Sequence, residues 1–132
     1  MSKIKQIFSR EILNSRAIPT LETTVVLEDD TVSSASVPSG TSVGTYEALE
    51  LRDNDPERFN GSGVLKAVET VEKIIAPILL GKEASNQQEI DNLMIHADGT
   101  INKGKLGANS ILSVSMAVAK TASISNRMPL YM

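Results

Sequence analysis

The chain has 132 residues, 41% of them hydrophobic and 22% charged, with a net charge of −3 and an isoelectric point near 5.1. That is enough chain for one domain with a real core, and too apolar for a disordered segment. The acidic balance argues against nucleic acid as a partner, and the absence of cysteine excludes disulfide scaffolds and thiolate metal sites. The uncharged helical run Leu106 to Ala119 has 14 residues, short of the ~20 that a membrane span needs. The opening MSKIKQIFSREIL lacks the apolar core of a signal peptide. The expectation is a soluble, cytoplasmic protein with no membrane partner.

In chain order, Ile4 to Leu13 reads as a first strand, followed by a loop around Pro19. From Leu21 to Glu28 the odd positions Leu21, Thr23, Val25 and Leu27 alternate with Glu22, Thr24, Val26 and Glu28. That period of two puts one face on a core and the other in water. Asp29-Asp30 predicts a two-residue turn, and Thr31 to Val37 a third strand that Pro38 closes. Short links between three strands predict an antiparallel meander.

From Ser62 the period becomes helical. Val64, Val68, Val71, Ile75 and Ile78 form a stripe with Ala67 and Ile74 beside it, Ser62 as cap and Gly81 as stop. Pro77 should bend or fray the last turn. A second helix is expected after Ser85, whose spacing to Gln88 fits a capping box, with Ile90, Leu93, Met94 and Ala97 inward and Asp98-Gly99-Thr100 as its end. The third helix, Leu106 to Ser125, reads as apolar on every side and so packed between other elements. Strands first and helices after is the α+β class: a three-stranded antiparallel β-meander followed by a helical subdomain.

Between sheet and helices lies VPSGTSVGTYEALELRDND, Val37 to Asp55, which nothing in a core could use. Its glycines, hydroxyls and backbone amides could approach a phosphate or carboxylate closely, or lend oxygens to a hard cation. It is not a P-loop, because no Lys-Ser/Thr follows the glycines. Gly40-Thr41-Ser42-Val43-Gly44 has the G-x-S-x-G spacing of a nucleophile elbow, but the chain's one histidine, His96, sits among helical apolar positions and reads as a surface or satisfied residue. From composition alone the loop reads as a connector. The charged run Glu47, Glu50, Arg52, Asp53, Asp55, Glu57 and Arg58 reads as a solvated face.

Several stretches together resemble the N-terminal domain of the enolase family. VPSGTSVGTYEALELRDND resembles the first active-site loop of that family, REILNSRAIPTLE its opening strand and turn, and GSGVLKAVETVEKIIAPILLGKEASNQQEID its first long helices. DGTINKGKLGANSILSVSMAVAK and MPLYM are similar to its most recognisable helix and to the segment leading out of the domain. The resemblance spans residues 1–132 as a single domain. It implies the interconversion of 2-phospho-D-glycerate with phosphoenolpyruvate and water, a small phosphorylated acid as substrate, and Mg²⁺ as cofactor. It places the lysine base, the glutamate acid and the first Mg²⁺ site in a (β/α) barrel absent from these residues, so no catalytic residue is expected here and the chain alone should be inactive. The loop Ser39, Gly40, Thr41, Ser42, Val43 and Gly44 would close over substrate, with Ser42 a ligand of the second Mg²⁺ only in the intact, closed enzyme. Arg10 and Glu22 match positions that pair across a homodimer interface; the implied partners are the chain's own barrel and a second copy.

The match has departures. Asn14-Ser15-Arg16-Ala17-Ile18-Pro19 stands where the family usually has Asp-Ser-Arg-Gly-Asn-Pro, so Ala17 replaces a turn glycine. Thr41 and Val43 flank Ser42 in place of the usual Ala and Thr, and Ser110 and Ser113 replace Ala and Gly in the helix motif. The competing expectation is a stand-alone, non-catalytic interaction module that keeps the fold.

Overall fold

A computed structural model describes residues 2–38, 50–100, 103 and 105–131. Strands β1 (Ile4–Leu13), β2 (Pro19–Leu27) and β3 (Val32–Ser36) form an antiparallel sheet in the order β1-β2-β3. The alternation read from β2 holds: Leu21, Thr23, Val25 and Leu27 are fully buried, while Glu22, Thr24 and Val26 are half-buried. The β2–β3 link differs from the expected two-residue turn. Leu27 N–H donates to Thr31 O and Asp30 N–H to Leu27 O, so three residues bridge the strands. Asp30 takes a positive φ of 69°. A type I turn splays the strands unless a left-handed residue follows it, and with no glycine available an aspartate adopts that conformation.

A 3₁₀ turn (Phe59–Gly61) precedes a rod made of α1 (Leu65–Thr70), a π-helical turn (Val71–Ile75) and α2 (Ala76–Leu79). Pro77 neither breaks nor frays it. An α-helical Pro77 would clash with the carbonyl four residues back; the wider turn, in which Ala76 N–H donates to Val71 O, relieves that clash. The extra residue shifts the buried stripe. Val64, Ala67, Val71, Ile75 and Leu79 are buried, whereas the expected Val68 and Ile78 only pack against the core's edge and Ile74 is 44% exposed. The cap also differs. Ser62 donates no cap, and Asp53 accepts from Leu65 N (3.0 Å) and Lys66 N (2.7 Å) instead. Gly81, at φ +83°, ends the rod as expected, and its N–H turns to Ile4 O.

Helix α3 (Gln87–Asp98) begins one residue later than expected. Asn86 is the cap, accepting from Glu89 N while its Nδ2 donates to Glu89 Oε2, a reciprocal pair in place of Ser85 with Gln88. Ile90 and Met94 are buried, Leu93 and Ala97 pack at the margin, and Gly99 closes the helix in the left-handed region.

Helix α4 (Ala108–Ser125) lies across β2 and β3 and against α3, while α1, the π turn and α2 cover β1. The core sits between this helical layer and one face of the sheet. Contrary to the expectation of no wet face, Leu112 and Ile124 are 43% and 55% exposed. The buried side of α4 carries polar residues, Asn109, Ser110, Ser113 and Thr121, interleaved with Val114, Ala117 and Val118.

Those hydroxyls are satisfied. Ser113 Oγ donates to Ser110 O at 3.0 Å, a bond whose direction is set because a carbonyl can only accept. Thr23 Oγ1 lies 2.7 Å from Ser113 Oγ, and Ser9 Oγ lies 2.6 Å from Thr23 Oγ1. With the Ser113 proton committed, the chain runs one way: Ser9 to Thr23 to Ser113 to Ser110 O. It ties β1, β2 and α4 together at the centre of the domain. Ser113, read from the sequence only as a departure, is its pivot.

Candidate functional site

The predicted loop residues Ser39, Gly40, Thr41, Ser42, Val43 and Gly44 lie outside the described residues. The chain on either side of 39–49 is described, and both sides are held at the start of β2. Before the loop, Val37 N–H donates to Leu21 O at 3.0 Å, and Thr20 Oγ1 donates to Val37 O. After it, Arg52 Nη1 donates to Pro19 O (2.6 Å) and to Ser62 O (2.9 Å), while Nη2 and Nε pair with Glu50 Oε2. Three consecutive residues, Pro19, Thr20 and Leu21, thus anchor the outgoing and returning chain. A loop whose two feet share one anchor is a common frame for function.

Leu51 is held from a different direction. Its N–H donates to Asn109 Oδ1 at 2.8 Å, and Asn109 Nδ2 donates back to Leu51 O at 3.0 Å. The carboxamide mimics a peptide group and pairs with Leu51 as a neighbouring strand would. Gly107, at φ +90°, lies directly beneath: a Cβ there would stand 2.5 Å from Leu51 Cβ.

Of the run read as a solvated charged face, Asp55 and Glu57 are exposed and Glu47 lies outside the described residues, but Glu50, Arg52, Asp53 and Arg58 are partly buried in ion pairs. Glu11 Oε1 accepts from Arg58 Nη2 (2.6 Å) and Oε2 from Val64 N (2.8 Å). Asp53 Oδ2 faces Arg58 Nη1 at 3.4 Å while its carboxylate caps α1. Burial opposes charge on Glu11, but the Arg58 hydrogen bond, the Val64 N–H and the Arg58 charge outweigh it and hold the carboxyl below its ordinary value. The same hydrogen bond with Glu11 raises Arg58. Both carboxylates sit where the helix dipole favours negative charge. Gly63 makes room for this packing: a Cβ would come within 2.7 Å of Asp53 Oδ2 and 2.8 Å of Arg58 Nη1, and those side-chain ends would have to shift. Held by N–H donors at both oxygens, Glu11 and Asp53 brace the start of α1. No local sequence signal points to them: Glu11 arrives from β1, and Asp53 reaches the helix only through a hairpin-like link in which Asp53 N–H meets Gly63 O.

The turn leading into β2 carries the departures noted above. Asn14 Oδ1 accepts from Arg16 N (2.8 Å) and Ile18 N (3.0 Å), and Ala17 has φ 58°. The expectation that Ala17 occupies a position suited to glycine is met, at a turn that leads directly to the shared anchor. Arg10 and Glu22, expected at a subunit interface, are cross-strand partners whose side chains pair at 2.6 Å within one chain, the arginine 71% exposed. His96 is exposed on α3, in a shallow surface hollow with Asn92 and Leu93.

Among the described residues no group of three His, Cys, Asp or Glu could hold a metal ion, and no helix is long and apolar enough to cross a membrane. The one residue assigned to Mg²⁺ from sequence, Ser42, lies outside them. Its hydroxyl and carbonyl are oxygen donors of the kind Mg²⁺ takes, and one such residue would be only part of a site that needs several ligands.

Fold and site define a class: an α+β unit of a β-meander and packed helices in which the chain on both sides of residues 39–49 is anchored at the start of β2. The family described as Enolase, N-terminal domain matches residues 4–132, and the chain belongs to this family.

Proposed function

We propose that the chain is the N-terminal domain of an enolase that interconverts 2-phospho-D-glycerate and phosphoenolpyruvate plus water, acting with a barrel domain and as a homo-oligomer in the cytoplasm. The observation that carries this reading is the family match across residues 4–132, with both feet of the segment 39–49 clamped on Pro19 to Leu21. In this reading the domain's work is positional. Ser39 to Gly44 are presented to a substrate held by the barrel, and water is kept from the charged intermediate. Mg²⁺, when bound, neutralises charge that grows on the substrate, with Ser42 as one ligand. Arg10 and Glu22 take part in subunit contact, and their pairing within the chain orients the arginine for it.

The test follows phosphoenolpyruvate absorbance with excess Mg²⁺. The 132-residue chain alone is expected to show no turnover, and the same domain joined to its barrel to be active. In the active form Ser42→Ala should lower kcat on the order of 10²-fold and raise the Mg²⁺ requirement, with Ser39→Ala costing much less. Turnover by the isolated chain, or an inactive joined protein, overturns the reading.

A further inference from the structure

Asn109, in the first turn of α4, has no explanation within that helix. Asn109 is only 3% exposed, yet its carboxamide does not cap α4: the helix has no side-chain cap, and asparagine is a poor choice for a first-turn interior position. Gly107, at φ +90°, holds a backbone conformation that other residues rarely adopt. Leu51 accounts for Asn109, and Gly107 makes room for it. Asn109 uses its acceptor and one donor on the two backbone groups of that residue, and the absent Cβ of Gly107 leaves the space in which the Leu51 side chain lies. Arg52 reaches Pro19 and Ser62, and Asp53 and Arg58 reach Glu11 and the start of α1, whereas Leu51 is held from α4.

We propose that Asn109 is a positioning residue for the dehydration, fixing the height of the Leu51 backbone, and through it the returning chain, relative to α4. The inference rests on the enolase reading above. Asn109 touches neither substrate nor metal; it acts through Leu51. Reacting groups held about 1 Å out of place lose rate steeply, so a displaced returning chain lowers kcat, while binding of substrate by other groups is little affected.

The experiment compares three variants in the intact enzyme that carries this domain. Asn109→Ala removes both bonds to Leu51. Asn109→Asp keeps the acceptor for Leu51 N–H and loses the donor to Leu51 O. Asn86→Ala removes the α3 cap and serves as a stability control remote from Leu51. For each, Tm, kcat and KM are measured. Asn109→Ala is expected to lower kcat about tenfold or more with KM within about twofold. Asn109→Asp should fall between it and the parent, and Asn86→Ala should keep the parent kcat despite a comparable loss of Tm. If Asn109→Ala loses Tm but keeps kcat, as the control does, Asn109 is a packing residue and the inference fails while the enolase reading stands. If the parent itself does not dehydrate 2-phosphoglycerate, the enolase reading fails, and the inference with it.

Discussion

Thr23→Val tests the directed hydroxyl chain. Valine has the shape of threonine, so no cavity forms and the loss is confined to hydrogen bonding. Thr23 Oγ1 makes two bonds, to Ser9 Oγ and Ser113 Oγ. At about 1 kcal/mol net for each, the substitution should cost roughly 2 kcal/mol. Ser113 keeps its bond to Ser110 O, but Ser9 loses the acceptor for its proton at a site only 8% exposed. For a chain of this length the loss corresponds to a fall in Tm of roughly 6–10 °C. Ser113→Ala should cost about as much, because it also breaks two bonds, to Thr23 and to Ser110 O, and leaves one proton of the Ser9–Thr23 pair without an acceptor. The decisive variant is the triple Ser9→Ala, Thr23→Val, Ser113→Ala. Removing every member strands no donor, so at least half of the Thr23→Val loss should return. Urea unfolding followed by circular dichroism, compared at constant m, gives these differences. A triple variant that loses the sum of its single substitutions would refute the chain as a coupled unit.

Ala17→Gly should stabilise the protein by about 0.5–1 kcal/mol in the same urea assay, since Ala17 holds φ 58° and only the added chain entropy of glycine opposes the gain. Gly107→Ala should cost about 2–4 kcal/mol, from a φ of +90° and a Cβ forced to within 2.5 Å of Leu51 Cβ; an unchanged urea midpoint would mean that α4 moves away freely. Asp98 is 2% exposed and accepts from Leu106 N at 2.6 Å and Thr100 N at 2.9 Å. Burial opposes its charge, yet the Leu106 and Thr100 donors prevail and lower its pKa below the usual 3.8. A depressed folded pKa means that its contribution is present above 3.8 and lost as pH falls through the lower folded value. Acid titration of stability should therefore show a decline below about pH 4 that is smaller in Asp98→Asn, which itself should cost about 1.5–3 kcal/mol at pH 7.

The order of strands and helices, the buried face of β2 and the inward residues of α3 were legible in the sequence, because each depends on the period of side chains along a single element. The family was legible too, from several stretches in order. Leu21, Thr23, Val25 and Leu27 alternate whatever they pack against, and Gly81 and Gly99 stop helices through their own backbone freedom. Tertiary structure decided whatever depends on partners distant in the chain. Asp53 and not Ser62 caps α1, because the link before the helix folds back on it. The charged run after the loop becomes a clamp only when Glu11, 47 residues before Arg58, arrives on β1. Ser113 finds Thr23 across 90 residues, and Asn109 finds Leu51 across 58. A hydrogen bond is selected by distance and direction in space, and local periodicity carries no information about which distant strand or helix will bring the second atom.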